Sequence, residues 1–580
     1  MTARGRDSGS AADAAGPNAE HPGTAGEREG QAPGVPTPER DAQAPAAAAG
    51  EAPAPTPRRG RLALSTAFFS FATGLSRIAG LVREVVVASY FGVTATMSAF
   101  TIAFQVPNLI RALFADMALQ GAFVPVFTEL LEKGERKEAF RIASTLFFVI
   151  LLALGGLTAL FMLLAPVIVP LFTPGFSPDL DALTVSLSRL MFPIVVMLAL
   201  TGLVVGMLNS FGHFSVPALA PAAWNVVIIA AIVGLMPVFP EEDEIYTYAI
   251  GILAGTLVQF LLPTPWLRGR GGRFSLSFDW RNPLVLRVLK LMFPVTIALG
   301  LINFSGLINS SIGTLVNDSA PAAIDKAFRI YMLPQGLFSI AIATILFPTL
   351  SRYAARGEMD DMRRTMGNGV RLIALFLIPS AMLMAVLAEP ITRLIFERGM
   401  FDARATDLVT DALIWWSLSL PFQGISLLLS RTYFSLQRPW VTTAIAGGNL
   451  LVNAIVSLAL YKPFGISGIV IGTVVGTTGM ALAQFYMLRP DLHGVEGGRT
   501  LLAGIRMVLA AALLGAVSYG IWWLLDDALG RGLLGQIVSL GTGILAGSAV
   551  YAAIVWALKM PEGRQVATLL PARFRRGGGD

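Results

Sequence analysis

Four arginines stand inside apolar segments of the chain, where a charged side chain is costly. Arg77 and Arg83 lie in LSRIAGLVRE, Arg111 lies in FQVPNLIRALFAD, and Arg329 lies in KAFRIYMLPQG. On insertion scales a central arginine costs about 2.5–3.5 kcal/mol, and such residues nearly always face a protein interior or a watery cavity. With almost no buried carboxylates expected beside them, they predict a positive cavity that binds an anion. The planar guanidinium matches phosphate oxygens in bidentate fashion, so the expected ligand bears phosphate.

Helical geometry limits how Arg77 and Arg83 could contact the same ligand. Arg77 and Arg83 are six residues apart in the sequence, which places them about 120° apart around an ideal helix. Both reach one cavity only if it is wide or if the helix bends, and Gly80 lies between them. An alternative for Arg83 is an ion pair with Glu84 or a position at the outer membrane interface.

A polar stripe accompanies Arg111 on the second apolar segment. Gln105, Asn108 and Arg111 recur at i, i+3 and i+6, on one side of a helix that Pro107 is expected to kink. We interpret the stripe as part of a binding site. Hydrogen bonding between neighbouring helices is the alternative.

Charged neighbours affect the interpretation of Arg329 as a ligand of the anion. Lys326 precedes it by three residues, and a purely structural role explains this placement poorly. A pair between Asp325 and Lys326 would weaken the case for a site. We include Arg329 among the candidate ligands of the anion because it interrupts an otherwise apolar segment.

The composition indicates a membrane protein that crosses the bilayer many times. Of its 580 residues, 54% are hydrophobic and only 14% are charged, whereas soluble domains carry about 25% charged residues. There is no cysteine, and the three histidines lie outside the long apolar segments. The formal charge of +6 is too small and too dispersed to indicate a nucleic-acid partner. It fits basic residues that lie against an anionic inner leaflet.

No motif argues for covalent chemistry. The sequence contains no GxSxG, no HExxH, no phosphate-binding P-loop and no cysteine cluster. We therefore expect no enzyme activity, no cofactor and no resident metal.

Apolar segments of about 20 residues, the length that spans the hydrocarbon, follow one another from Arg61 onward. Their backbone must satisfy its hydrogen bonds internally, which predicts helices and an all-α polytopic fold. We count fourteen segments, with centres near residues 76, 107, 152, 195, 228, 256, 300, 338, 378, 420, 451, 476, 513 and 545.

The distribution of charge predicts the orientation of the chain. Basic residues flank the first span, follow the second, sixth and eighth, and close the chain, whereas the opposite connectors are acidic or neutral, as at residues 179–181, 241–244 and 526–527. With an even number of spans, this alternation puts both termini in the cytoplasm.

An internal repeat relates spans two to five to spans eight to eleven. The matches are Pro125-x8-Gly134 with Pro348-x8-Gly357 (offset 223, 348 minus 125), Phe172-x2-Gly175 with Phe396-x2-Gly399 (offset 224), and Asn225 with Asn449 (offset 224). Parallel repeats of this kind are a transporter architecture with the substrate held between the halves. Asn225 and Asn449 are expected to hydrogen-bond between helices.

The chain divides into five predicted regions. They are a disordered cytoplasmic tail at 1–60, a first lobe at 61–270, a second lobe at 271–490, two extra helices at 491–560, and a basic cytoplasmic tail at 561–580. The first region is rich in Ala, Pro, Gly and Glu and lacks apolar segments, so it cannot offset the entropy of ordering.

Several of these stretches resemble the lipid II flippase family, called MurJ or MviN, of the MOP exporter superfamily. The similarity covers roughly residues 62–558 and is carried by LSRIAGLVREVVVASYFG (75–92), PNLIRALFAD (107–116), FVPVF (123–127), GMLNSFGHFSVPALAP (206–221) and the stretch from Arg329 to Pro348. The resemblance implies fourteen helices in two MATE-like lobes, a central cavity for the glycopeptide pyrophosphate, and a groove on the last two helices for the polyprenyl tail. It places the family's cavity positions on Arg77, Arg83, Arg111, Arg329, Ser76 and Asn108.

Two departures from the family pattern concern coupling. Ser98 stands where many members have an Asp, and Phe328 and Met332 replace the carboxylates of the ADR-x-x-E-x-P pattern. These losses leave proton coupling through those acids in doubt.

A further departure concerns sodium coupling. Some members are expected to bind sodium through carboxylates of the second lobe, where this chain offers only Asn303, Asn309, Asn449 and Asn453. Asn449 and Asn453, at i and i+4, remain an alternative pair of cation ligands. A membrane potential negative inside favours expelling anions by about 2.3 kcal/mol per charge per 100 mV.

The sequence thus predicts an alternating-access flippase of the bacterial cytoplasmic membrane. Its expected cargo is lipid II, held by the arginines with Ser76, Gln105 and Asn108, and its expected partners are membrane lipids and cell-wall synthesis or division machinery. The alternatives are an exporter of another polyprenyl-linked glycan, a MATE-like exporter of small molecules, and a membrane enzyme that uses a polyprenyl-phosphate donor.

Overall fold

The computed structural model describes residues 59–114, 117–269, 275 and 277–569. Within those ranges, it leaves the side chains of residues 59–67, 69–70, 110–114, 117–122, 291–303 and 566–569 undescribed. Most of the predicted N-terminal tail and the end of the predicted C-terminal tail lie outside the described residues.

Across the described ranges the secondary structure is helical and contains no strand, which confirms the all-α fold class. The α-helices are α1 (Arg59–Phe91), α2 (Ala95–Phe114), α3 (Met117–Glu132), α4 (Arg136–Ile168), α5 (Pro178–Met191), α6 (Ile194–Ser210), α7 (Ser215–Leu235), α8 (Ile245–Leu261), α9 (Pro283–Thr314), α10 (Ala320–Pro334), α11 (Ile340–Arg356), α12 (Met359–Val386), α13 (Ala388–Phe396), α14 (Ala403–Ser435), α15 (Pro439–Met487), α16 (Gly497–Leu529), α17 (Leu533–Ala557) and α18 (Pro561–Leu569).

Ten helical segments of the described chain are long and apolar enough to cross a membrane. One of them, α15, has 49 residues and contains a non-helical turn at Gly465 (φ 57°, ψ −133°). A straight helix of that length would measure about 74 Å, more than twice the hydrocarbon thickness, so the turn separates two spans. The helices α1, α2 and α9 are not among the ten. The count of fourteen therefore stays a prediction.

Short polar residues fix where several helices begin. The side chains of Asn282, Ser177 and Asp402 accept hydrogen bonds from backbone N–H groups in the first turns of α9, α5 and α14. Prolines follow directly at Pro283 and Pro178, where the missing N–H costs nothing. These caps satisfy donors that the helix itself leaves unpaired.

The predicted repeat is visible as matched helices, and it extends beyond the sequence matches. The first residues of α1 and α9 are related by nearly the same offset as the sequence matches (283 minus 59, or 224), and so are those of α4 and α12 (359 minus 136, or 223). The starts of α5 and α14 (403 minus 178, or 225) and of α7 and α15 (439 minus 215, or 224) follow the same rule. We refer to α1–α8 as the first half and to α9–α15 as the second half.

Buried apolar side chains form two large groups in the described chain. One surrounds Phe127 and Phe192 in and around α3 to α6, and the other includes Ile330 of α10 and runs through both halves. Helix α9 contributes Val288 to the first group and Ile312 to the second. The halves are therefore joined by a shared helix as well as by direct contact.

Two repeat-related glycines bring the halves together at the ends of α1 and α9. The backbone N–H of Gly175 donates to Thr314 Oγ1 at 3.1 Å, and the N–H of Met400, which follows Gly399, donates to the Ser89 carbonyl at 2.8 Å. A Cβ at Gly175 would stand 2.0 Å from the carbonyl oxygen of Thr314, and one at Gly399 would stand 2.3 Å from that of Ser89. We call these two close approaches the glycine contacts, and they join the two halves near the ends of α1 and α9.

The segment predicted as a basic C-terminal tail begins with a docked helix. Glu562, in the first turn of α18, is buried, and its Oε1 lies 2.9 Å from Arg371 Nε on α12. Arg371 Nη1 also donates to Glu496 Oε2 at 2.7 Å, just before α16 begins. A single buried guanidinium therefore binds residues from both ends of the α16–α17 hairpin.

Candidate functional site

A buried group of charged side chains lies where α1 of the first half meets α10 of the second. Arg83 and Glu84 come from α1, and Asp325, Lys326 and Arg329 come from α10. Lys326 is fully buried, Arg83 and Glu84 are nearly so, and the Arg329 side chain is 38% exposed. We call this set the charge cluster. Three cations and two anions give it a formal charge of +1.

Glu84 is the centre of the charge cluster. Its Oε2 accepts from Lys326 Nζ at 2.9 Å, and its Oε1 faces Arg329 Nη1 at 3.6 Å. Arg83 Nη2 also donates to Oε1. A buried carboxylate needs such partners because removal from water penalises its charge heavily.

The prediction that the buried arginines lack carboxylate partners is wrong for Arg83 and Arg329. Arg83 pairs with Glu84, as one alternative anticipated, and Arg329 Nε lies 3.3 Å from Asp325 Oδ2. The suggested pair between Asp325 and Lys326 is not the one that forms: Asp325 pairs with Arg329, and Lys326 pairs with Glu84. Asp325 and Arg329, four residues apart, share one helix face, while Lys326 reaches across to α1.

Arg83 keeps unused donor capacity despite its ion pair. Its guanidinium carbon lies 4.8 Å from the ring centroid of Trp224, a cation–π distance. Its Nε is buried and has no hydrogen-bond partner among the described residues. A guanidinium offers five N–H donors, and at least this one is not used by the described contacts.

Arg77 occupies a separate level of α1. Six residues correspond to about 9 Å of helix rise, so Arg77 stands well away from Arg83 along the helix axis. The side chain is exposed, and its Nη1 lies 3.8 Å from where a Cβ of Gly336 would stand. Gly336 belongs to a π-helical segment, Gln335–Ser339, directly after α10. Among the described residues Arg77 forms no ion pair, and Ser76 beside it is half-buried.

The polar stripe of α2 divides between two environments. Gln105 Nε2 donates to Ser310 Oγ of α9 at 2.8 Å, while its Oε1 is buried without a partner in the described chain. Asn108 is half-buried on the same helix. The side chain of Arg111 lies outside the described residues, so its predicted role stays a prediction.

Gln105 lines a cavity of about 260 Å³ enclosed mainly by the second half. Asp325 stands on its wall, which makes the cavity adjoin the charge cluster. Its lining is otherwise neutral and includes an aromatic group, Phe328, Tyr331 and Trp416, with ring centroids 5.0–5.8 Å apart. Sequence reasoning missed this chamber because its members come from five helices.

Asparagines beside the cavity form a neutral network. Asn453 Nδ2 donates to Asn309 Oδ1 at 2.9 Å, and Thr473 Oγ1 donates to Asn453 Oδ1 at 3.1 Å. Asn309 Nδ2 donates in turn to Thr473 Oγ1 at 2.9 Å. The described residues contain no group of three or more His, Cys, Asp or Glu side chains able to hold a metal ion.

The repeat-related asparagines behave differently from the prediction. Asn225 Nδ2 donates to the Pro221 carbonyl of its own helix at 2.9 Å. This bond lies within one helix, so the prediction of a bond between helices is wrong for it. Asn449 Oδ1 is buried and lacks a partner in the described chain. The side chain of Asn303 lies outside the described residues. Interhelix bonding by an asparagine is carried instead by Asn453.

Comparisons with known proteins agree with these observations. Residues 87–539 match the family described as lipid II flippase MurJ. A probable lipid II flippase MurJ of Rhizobium meliloti (strain 1021) is 32% identical over 454 residues, covering 77% of this chain and 84% of that protein. A probable lipid II flippase MurJ of Bdellovibrio bacteriovorus is 31% identical over 510 residues, covering 86% and 95%.

Solved structures share the fold. A lipid II flippase MurJ in an inward closed conformation superposes with a TM-score of 0.69 at 23% identity, covering 84% of this chain and 99% of that one. An inward-facing multidrug resistance MATE family transporter of the MOP superfamily gives a TM-score of 0.62 at 13% identity, covering 72% and 94%.

Proposed function

The chain belongs to the MurJ family of lipid II flippases, and on that premise we propose that its charge cluster and Arg77 receive the pyrophosphate of lipid II. The protein is a lipid II flippase of peptidoglycan synthesis and a multi-pass protein of the bacterial inner membrane. It acts as a transporter, and we propose that it performs no bond chemistry on its cargo.

The observation that carries the assignment is the net positive charge of a buried cluster that still has free donors. Arg83 Nε is buried without a partner in the described chain, and Arg329 remains 38% exposed although it pairs with Asp325. Hydrogen bonds to ionised groups contribute about 1.5–3 kcal/mol each. A cationic cargo would face net repulsion here, which argues against export of cationic small molecules.

Arg77 provides a second, outlying contact. Its Cα lies about 9 Å along the axis of α1 from that of Arg83, so the two side chains approach a ligand from different levels of the helix. Its exposure makes it the residue that the pyrophosphate meets first, before it reaches Arg83 and Arg329. Ser76 and Asn108 would add hydrogen bonds along this path, and Gln105 would contact the sugar from the adjoining cavity.

The two halves supply the alternating access. We propose that residues 61–270 and 271–490 rock as lobes, that the last two spans, 491–560, hold the polyprenyl tail, and that both termini are cytoplasmic. With the glycine contacts closed, the face where α1 ends is shut, which supports an inward-accessible state. Opening outward must separate Gly399 from Ser89 and Gly175 from Thr314.

The membrane potential can drive the transfer. A potential negative inside favours outward movement of an anion by about 2.3 kcal/mol per charge per 100 mV. The neutral asparagine network uses its own oxygens internally, so we propose that transport does not require a cation bound there.

Rescue of a bacterium depleted of its own lipid II flippase tests the proposal. Outer-leaflet lipid II would be read by an enzyme that cleaves only externally exposed precursor. We expect wild type to restore growth and cleavage, and Arg77→Glu to insert but fail. Arg404→Glu, which makes the same charge reversal at an exposed arginine near the start of α14, is the matched control and should behave as wild type. A fully active Arg77→Glu protein would refute the role of Arg77.

A further inference from the structure

Lys326 is a fully buried lysine whose ammonium group contacts Glu84 and lies near the ring of Phe396. Its Nζ lies 2.9 Å from Glu84 Oε2 and 5.6 Å from the ring centroid of Phe396. By contrast, Arg329, one turn later on the same helix, is 38% exposed. Burying a lysine is costly, so its retention here calls for a partner that stays charged.

The two oxygens of Glu84 have different partners. Among the described residues, Oε2 is bound by Lys326 alone, whereas Oε1 is shared by Arg83 and Arg329. Without this shared oxygen, two guanidinium groups from opposite halves would repel each other. In this arrangement Glu84 occupies the position that an anionic ligand of the two arginines would take.

We propose that Glu84 is an internal counter-anion that holds Arg83 and Arg329 when no substrate is bound, and that Lys326 is the positioning residue that retains Glu84 when the pyrophosphate takes the two arginines. This inference rests on the proposed function of the charge cluster. Lys326 acts on the substrate only through Glu84.

The electrostatic logic is an exchange of partners. A pyrophosphate carries more charge than one carboxylate oxygen and offers several acceptors, so it displaces Oε1 from both guanidinium groups. Glu84 then stands beside a second anion, and like charges at short range repel. Lys326 neutralises Glu84 through the other oxygen and removes that repulsion. After release of the lipid, Glu84 returns to the arginines.

A direct contact between Lys326 and phosphate fits the geometry less well. The ammonium group is fully buried behind Glu84, and the ring of Phe396 lies on another side of it. An anion that reached it would first have to displace the shorter of the Glu84 contacts. Of the contacts to Glu84, the one between Arg329 and the shared oxygen is the longest, at 3.6 Å, and is the one an anion would break first.

Three variants distinguish an action of Lys326 through Glu84 from a direct contact between Lys326 and phosphate. Lys326→Met, Glu84→Gln and the double variant would be compared with wild type as full-length protein in nanodiscs, by measuring affinity for a short-chain lipid II analogue. We expect Lys326→Met to bind about tenfold or more weakly, since Glu84 is left uncompensated beside the phosphate. We expect Glu84→Gln to bind at least threefold more tightly, and the double variant to match Glu84→Gln within about twofold.

Controls guard against loss of folding. Asp526→Asn removes another buried ion pair, 2.6 Å long, with Arg393, which is outside the charge cluster, and should leave the affinity unchanged. If Lys326→Met does not fold, the double variant, which carries neither charge, still decides the question. It should bind at least as tightly as wild type.

The same measurements distinguish failure of the proposed exchange from failure of the proposed function. Suppose that Lys326→Met lowers the affinity by the same factor in the Glu84→Gln background as in wild type. That result would show that Lys326 contacts the phosphate itself. Wild-type affinity in Glu84→Gln would exclude a competing anion. If wild type binds the analogue and Arg83→Ala weakens binding, the proposed function stands even when the exchange fails. Absence of binding by wild type would overturn both.

Discussion

Replacing Gly399 with alanine tests whether the glycine contacts hold shut the face where α1 ends, which we propose is the outer face. Gly399 has φ +60°, and an added Cβ would stand 2.3 Å from the Ser89 carbonyl oxygen. Since an ordinary contact is about 3.4 Å, the two halves must separate locally by about 1 Å. The obstacle is backbone, which cannot rotate away as a flexible side chain would.

The chain supplies a matched control for the backbone strain. Gly357 has φ +72° but open space around its Cβ position. Alanine in the left-handed region costs about 1 kcal/mol at either site. Gly399→Ala adds about 1–3 kcal/mol of overpacking and about 0.5–1.5 kcal/mol for the hydrogen bond from Met400 to Ser89. The closed state alone bears this excess of about 1.5–4.5 kcal/mol, which shifts the ratio of closed to open by about 10- to 1,000-fold.

Cysteine accessibility measures that ratio directly. The chain contains no cysteine, so Ser89→Cys introduces a single thiol in the half-buried contact. A membrane-impermeant maleimide added from outside should modify it at a rate proportional to the open fraction. We expect Gly399→Ala to raise this rate at least tenfold and Gly357→Ala to leave it near that of the parent. Equal rates in the two alanine variants would refute the reasoning, because the only difference between them is the contact with the other half.

Three further expectations concern other parts of the molecule. Glu562→Ala should release α18 from Arg371 and lower the free energy of unfolding by about 1–3 kcal/mol, seen as a lower melting temperature and faster proteolysis of the C-terminus; unchanged proteolysis would contradict the docking. Burial raises the pKa of Glu389, outside the spanning helices, above its usual range, partly offset by Arg393. The folded state therefore takes up a proton before the unfolded state does, so wild type should gain stability relative to Glu389→Gln as the pH falls from 7 towards 5, and parallel melting curves would count against this. Asn453→Ala should cost about 1–3 kcal/mol by leaving buried donors and acceptors unpaired, without any change in the sodium dependence of transport; a sodium-dependent defect would point to a cation there.

Much of the fold is predictable because local sequence determines it. Apolar segments of membrane-spanning length predict helices, and caps such as Ser177 and Asp402 mark where they begin. The repeat is detectable at a few glycines and prolines. Its full extent is hidden in sequence because apolar residues exchange freely at lipid-facing and core positions, and the matched helix boundaries reveal it.

The candidate site is less predictable because its contacts are remote in sequence. The cost of burying an arginine identifies Arg83 and Arg329 without a structure. The partner of Lys326 does not follow from its neighbours, since Glu84 lies 242 residues away and is reached only when α1 packs on α10. For the same reason the cavity beside Gln105 leaves no signature in the sequence of any single helix.

The ion pairs of Arg371 form late in the synthesis of the chain. Arg371 is synthesised more than a hundred residues before either of its carboxylate partners, Glu496 and Glu562. Until Glu496 emerges, α12 carries a charge without a carboxylate partner at a position that the finished protein buries. A chain that stops before residue 496 would therefore keep this buried guanidinium without either carboxylate partner, so the last helices stabilise a helix made long before them.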